Sequence, residues 1–245
     1  MRLRARDVSL ISILAAIYVI ISALPGIPII GGKGKIDLSA SIAPLFGIIL
    51  GPWKGPLATL IGVFLAWLLP PGSPSFHSLL FLPAPVLSSL VAGLMSSRKV
   101  RIPGWTIASC ILGALVIGWY VTWVGQKAPL YPIPHIVALV LVLVLGKWSS
   151  QVLELREGKE ASMVKRSIAV PIVSYCGLMT DHMYGNLTFI TFAELFMSLK
   201  YIPGLPAIFM MVLPISVTER LLMTVIASLI GIPLLKALQA LKIQL

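Results

Sequence analysis

The chain has 245 residues, of which 58% are hydrophobic and only 11% charged, with a mean hydropathy of +1.00. A soluble domain carries about 25% charged and about 45–50% apolar residues, so a water-soluble core under a polar skin is excluded, as is a disordered chain. The apolar residues come in long runs rather than in alternation, which excludes an outer-membrane barrel. The 19 Lys and Arg against 8 Asp and Glu suit the cytoplasmic loops of a membrane protein better than a nucleic-acid surface. The expected fold is an all-α integral membrane protein, surrounded by lipid bilayer with no nucleic-acid partner.

A helix needs about 20 apolar residues to cross about 30 Å of hydrocarbon, and eight spans are predicted in one domain over 1–245. The first, 8–24, follows the basic start Arg2, Arg4 and Arg6 and ends at Pro25 and Gly26; it lacks a clear small-residue cleavage site, so it is kept as a span rather than a signal peptide. Next come a glycine-rich segment running to Asp37 and two short spans, 38–50 and 57–69, separated by a tight turn from Gly51 to Pro56. Spans at 78–95, 105–124, 133–145 and 168–192 follow. The last, 207–235, is expected to bend at Pro214.

Charge tests this arrangement. With an inside N-terminus, fourteen basic residues fall on inside connections, four (Lys33, Lys35, Lys127 and Lys200) fall outside, and Arg220 lies within the last span. Positive residues concentrate on the cytoplasmic side, so both termini are predicted to be cytoplasmic and the protein multi-pass in the cell membrane.

Ionisable groups at membrane depth face the protein interior or a wet cavity, because exposure to hydrocarbon costs about 2.5 kcal/mol or more. Asp181, Glu219 and Arg220 fall within the spans and Asp37 at an outer boundary. Thr180 to Asn186 brings His182 and Asn186 one turn apart, with Asp181 and Tyr184 on an adjoining strip. In the last span Ser216, Arg220, Thr224 and Ser228 recur every four residues and predict one polar seam. Oriented polar groups in an apolar bundle describe a small-molecule pocket; a structural Asp181–Arg220 ion pair is the bland alternative. The glycine-rich 25–37 segment is either a connector or a mobile lid.

No phosphate-binding G-x-x-x-x-G-K-[ST] pattern occurs, so no ATPase activity is expected of this chain. His77, His135 and His182 are scattered without metal-ligand spacing, His77 and His135 near outer helix ends, and no metal or cofactor is expected. Cys110 and Cys176 lie in apolar runs, as small buried hydrophobes. No nucleophile has an evident base. An intramembrane enzyme using Asp181 and Glu219 on a lipid-like substrate stays open, as does a purely structural subunit.

Several stretches resemble the S component, the substrate-binding membrane subunit, of energy-coupling factor (ECF) transporters. They are Ser12-Ile13-Leu14-Ala15-Ala16-Ile17-Tyr18, Ile36-Asp37-Leu38, Leu50-Gly51-Pro52-Trp53-Lys54-Gly55-Pro56, Glu219-Arg220-Leu221-Leu222, and Gly231-Ile232-Pro233-Leu234-Leu235-Lys236-Ala237-Leu238. The resemblance implies a subunit that captures a vitamin-like or other small polar solute from outside, for ATP-driven uptake with a membrane T subunit and cytosolic ATPases. It implies a docking face on the first helix at Ser9, Ser12 and Ala16, where serine stands for the first alanine of the family's A-x-x-x-A step. It makes the 25–37 loop a gate and sets Asp181, His182, Asn186 and Arg220 against the cargo. The family usually has six spans, and an inserted hairpin over 105–145 reconciles that number with eight.

Overall fold

In the structure, a computed structural model, residues 4–28, 35–36, 38–97, 102–154 and 162–240 are described. The first helix, α1 (Ala5–Ser22), is mostly apolar beyond its charged first turn and buries only one stripe, Ile11, Ala15 and Tyr18. Two-residue strands β1 (Ile27–Pro28) and β2 (Lys35–Ile36) then pair antiparallel. The rest is helical: α2 (Leu38–Leu68), α3 (Phe76–Leu79), α4 (Pro83–Ser96), α5 (Gly104–Val121), α6 (Trp123–Lys127), α7 (Ile133–Leu153), α8 (Met163–Thr191), α9 (Ala193–Phe196), a 3-10 turn (Leu199–Gly204) and α10 (Leu205–Ala240).

Among the described residues, six stretches are long and apolar enough to cross a membrane: Ala5–Ser22, Leu38–Leu68, Phe76–Ser96, Gly104–Val121, Ile133–Leu153 and Leu199–Ala240. The expected eight differ from these at two places. The expected pair 38–50 and 57–69 is the one segment α2, broken where Gly51 has φ 81° and ψ −175°. That conformation belongs to glycine alone, and it reverses the chain: Gly55 sits against Phe46 and Gly47, residues that a straight helix would hold two turns away. The two arms therefore form a hairpin. The second difference is α8, which has ample length at 29 residues but carries Lys165, Arg166, Asp181, His182 and Asn186. It packs against α2, α4, α5, α7 and α10, so protein rather than lipid surrounds much of it and polar side chains are tolerated there.

Other boundaries move modestly. α7 runs two turns past the expected end, through Lys147, and α10 continues through both Pro214 and Pro233. Glycine and serine let the central helices close in. A Cβ on Gly47 would overlap the Ser89 carbonyl of α4, one on Gly62 would meet Tyr18, and one on Gly177 would meet Ser88. Small residues at helix crossings are how membrane bundles gain packing without a hydrophobic driving force between helices. Large aliphatic side chains face outward instead, among them Ile117, Val121, Val144, Met211 and Leu229. Cys176 is buried, as expected, whereas Cys110 is exposed on α5.

A chain of contacts places both described termini at one end. Lys54 pairs with Asp7 at 2.6 Å, Gly93 abuts Pro52, Gly104 abuts Leu94, and Gly146 abuts Trp105. Arg166 then donates to the Val152 carbonyl at 3.4 Å and to Gln239 Oε1 at 2.6 Å. Arg4, Arg6, Lys54, Lys147, Lys165, Arg166 and Lys236 all belong to this basic end. At the opposite end, Lys127 lies over the Trp123 ring and Lys200 over Tyr201, the pairing of cation and aromatic ring that suits a membrane interface. One large apolar cluster fills the basic half, and a smaller one around Trp119, Tyr131 and Phe209 fills the other end.

Candidate functional site

A cavity of about 660 Å³ opens at the end opposite the basic one. It is walled by the end of α1 (Tyr18, Ser22), both ends of α2 (Ser39, Trp67), the Pro70-Pro71-Gly72 connection, Phe81 and Pro85, and helices α8 and α10. α8 presents Asp181, His182, Gly185, Asn186 and Phe189, which share one helical face by their spacing. Gly185 leaves room between the polar residues and the Phe189 ring. Trp67 is fixed by its indole N–H, which donates to Ser78 Oγ at 2.7 Å. On its outer side Phe189 stacks on Phe196 of α9 at 5.4 Å between centroids.

Arg220 is the one α10 residue lining the cavity. Its Nη1 donates to Asp181 Oδ2 at 3.3 Å, and its Nη2 lies 3.5 Å from Glu219 Oε1. The Asp181 and Arg220 side chains are only 11% and 13% exposed, so Coulomb attraction there is far stronger than at a water-exposed surface. One guanidinium thus holds two carboxylates, and Arg220 Nε is buried without a hydrogen-bond partner among the described residues.

Behind the α8 wall lies a buried polar chain. Asn186 Nδ2 donates to Tyr131 Oη at 3.1 Å, Tyr131 Oη lies 3.4 Å from His182 Nε2, and His182 Nδ1 lies 3.2 Å from His135 Nε2. The two imidazoles stack with centroids 5.1 Å apart and planes 21° from parallel. Tyr131 itself stacks on Trp119 and meets Phe209 edge-on. It sits in the α6–α7 connection, where burial pushes its phenol pKa up, leaving a neutral hydroxyl.

Of the expected binding residues, Asp181, His182, Asn186 and Arg220 line the cavity together. Glu219 stands outside the wall and reaches it only through Arg220. Tyr184 is directed elsewhere, donating to the Leu80 carbonyl at 3.4 Å. Asp37 and residues 29–34 of the expected gate lie outside the described residues. Of the predicted α10 seam only Arg220 lines the cavity: Thr224 and Ser228 donate to the carbonyls of Arg220 and Thr224 in their own helix. The reason is that an i−4 carbonyl is always within reach of a helical hydroxyl. Ser9, Ser12 and Ala16 are exposed on α1, leaving that face open.

His135 and Tyr131 were not legible as site residues. The sequence sets His135 only near an outer helix end, yet it is 1% exposed. Its place at the start of the long apolar run of α7 and the aromatic character of the preceding loop were the available signals. Among the described residues no group of three His, Cys, Asp or Glu side chains is arranged to hold a metal.

Comparison with known proteins bears on these elements. The family model described as "ECF-type riboflavin transporter, S component" matches residues 2–148, from α1 into α7. The match stops short of α8 and α10, which carry the charged wall. An uncharacterized protein of Methanocaldococcus jannaschii is 30% identical over 200 residues, covering 81% of this chain and 60% of the relative. The chain therefore spans well under two thirds of that relative's length. No solved structure matches.

Proposed function

Because this chain belongs to the family of ECF-type riboflavin transporter S components, we propose that it is a membrane subunit that captures a small, vitamin-like solute and delivers it inward with partner subunits. The observation that carries the reading is the cavity at the end opposite the basic residues, where Asp181, His182, Asn186 and Arg220 meet aromatic walls. Its volume falls within the range of about 300–1,000 Å³ usual for small-molecule sites. The basic end belongs to the cytoplasm by the positive-inside rule, which turns the cavity outward. Trp67, Phe81 and Phe189 offer stacking surface for a planar ring, in keeping with a flavin-like cargo, and the charged pair supplies orientation. The exposed α1 face with Ser9, Ser12 and Ala16 is the docking surface for a membrane T subunit, which brings cytosolic ATPases. Close approach of a partner helix needs such small residues.

The test is quenching of riboflavin fluorescence by the purified protein in nanodiscs, with native mass spectrometry of protein extracted from its own membranes. One bound small molecule per chain, lost in Asp181→Ala and Arg220→Ala, is the expected result. Unchanged affinity in both variants would overturn the site, and a chain carrying only lipid would overturn the binding reading.

A further inference from the structure

The buried chain behind the cavity starts at Asn186, whose amide nitrogen can only donate, so the Tyr131 oxygen accepts from it. Ser216 of α10 also meets the Tyr131 hydroxyl. At the other end His135 Nδ1 is buried without a hydrogen-bond partner among the described residues. Between them Tyr131 Oη lies against His182 Nε2, and His182 Nδ1 against His135 Nε2. One proton fills the contact between the two imidazoles, so two neutral rings carry their protons on the same kind of nitrogen, both on Nδ1 or both on Nε2.

Either arrangement leaves His182 with both ring nitrogens engaged inside the protein, although its ring lines the cavity. It also spends the Asn186 amide nitrogen on Tyr131. The Asn186 carbonyl oxygen is bonded to nothing among the described residues and is not among the buried unpartnered atoms, so it is open to the cavity.

We propose that Tyr131, His182 and His135 are positioning residues that hold Asn186 with its carbonyl oxygen presented to the cavity, so that the site selects a ligand hydroxyl or N–H group at that point. The selection rests on the reading of the cavity as a solute site; the relay does not. Tyr131 and His135 act without touching the ligand. Their stacking partners keep the Tyr131 ring from rotating away, since Trp119 lies parallel to it at 4.7 Å and Phe209 edge-on at 4.9 Å.

The experiment is nitrogen-15 NMR of histidine-labelled protein in nanodiscs without ligand, with exposed His77 as internal reference, followed by riboflavin titration. The expected spectrum has His135 and His182 both neutral and protonated on the same kind of ring nitrogen. Tyr131→Phe should release His182 into a mixture of tautomers and weaken riboflavin binding about tenfold, as does Asn186→Leu. Rings protonated on different nitrogens, or a doubly protonated ring at either position, overturn the relay, and so does an unchanged His182 spectrum in Tyr131→Phe. Wild-type affinity in that variant overturns the positioning role. Absence of riboflavin binding by the wild-type protein counts against the flavin-like cargo, while the ligand-free spectra still decide the relay.

Discussion

Consider Asp181→Asn and Arg220→Met, made singly and together. At 3.3 Å and 3.5 Å, each of the two Arg220–carboxylate contacts is worth about 5 kcal/mol of gross attraction at an effective dielectric near 20. Desolvation cancels much of that, and leaving one buried charge uncompensated typically costs about 3–5 kcal/mol net. Asp181→Asn leaves Arg220 still paired with Glu219, so its cost falls below that range, to about 1–2 kcal/mol. Arg220→Met removes the guanidinium that both carboxylates share, so its cost sits at the upper end, about 5 kcal/mol. The double variant leaves a single carboxylate and recovers part of the loss. At about 2–4 °C per kcal/mol for a chain of this size, the ligand-free melting temperature of Arg220→Met should lie about 6–16 °C below that of Asp181→Asn. Thermal melts followed by tryptophan fluorescence in one detergent provide the assay. Equal destabilisation by the two single variants, or a double variant less stable than Arg220→Met, would refute the shared-guanidinium argument.

Three further outcomes are expected. Gly51→Ala has open space around the added methyl group, yet φ 81° with ψ −175° should cost about 1–3 kcal/mol through the backbone alone, read as a lower melting temperature. Gly47→Ala should reduce the yield of monodisperse protein sharply, because its methyl group overlaps the Ser89 carbonyl and backbone cannot rotate aside; Gly204→Ala, with nothing within 4 Å, should behave as wild type. Ala16→Leu should leave melting temperature and riboflavin binding unchanged while abolishing co-purification with a T subunit, as measured by affinity capture from co-expressing cells.

Much of the membrane topology was legible because it follows from covalent sequence. Long apolar runs set the helices, and basic residues gathered at one end through the alternation of spans. The Gly51–Pro56 turn announced a reversal, and the reversal occurs at Gly51. The family was legible as well, in small-residue and glycine-proline stretches of the first helices, within the 2–148 region of the match. Asp181, His182, Asn186 and Arg220 stood out because a polar group at membrane depth needs a reason, and all four line the cavity.

Other features have no signature along the chain. The spacing of Ser216, Arg220, Thr224 and Ser228 is the same whether a hydroxyl faces a cavity or bonds to its own helix, and Thr224 and Ser228 take the second course. Tyr184 falls on the strip beside Asp181, but the position of Leu80 decides where its hydroxyl goes. The polarity of α8 weakens it as a membrane span by composition; its burial among five helices decides that it can sit where it does.

By itself, then, the sequence determined the solvent, the helical content, the charge asymmetry and which ionisable groups required a protein environment, since each depends on local composition and period. Tertiary structure alone decided that Arg220 is shared by two carboxylates and that Tyr131 and His135, on one stretch of the chain, join His182 and Asn186, on a distant one, in a single polar chain. Contact between residues 47 to 55 positions apart is a property of how helices pack, and packing is set by the shapes of all of them together.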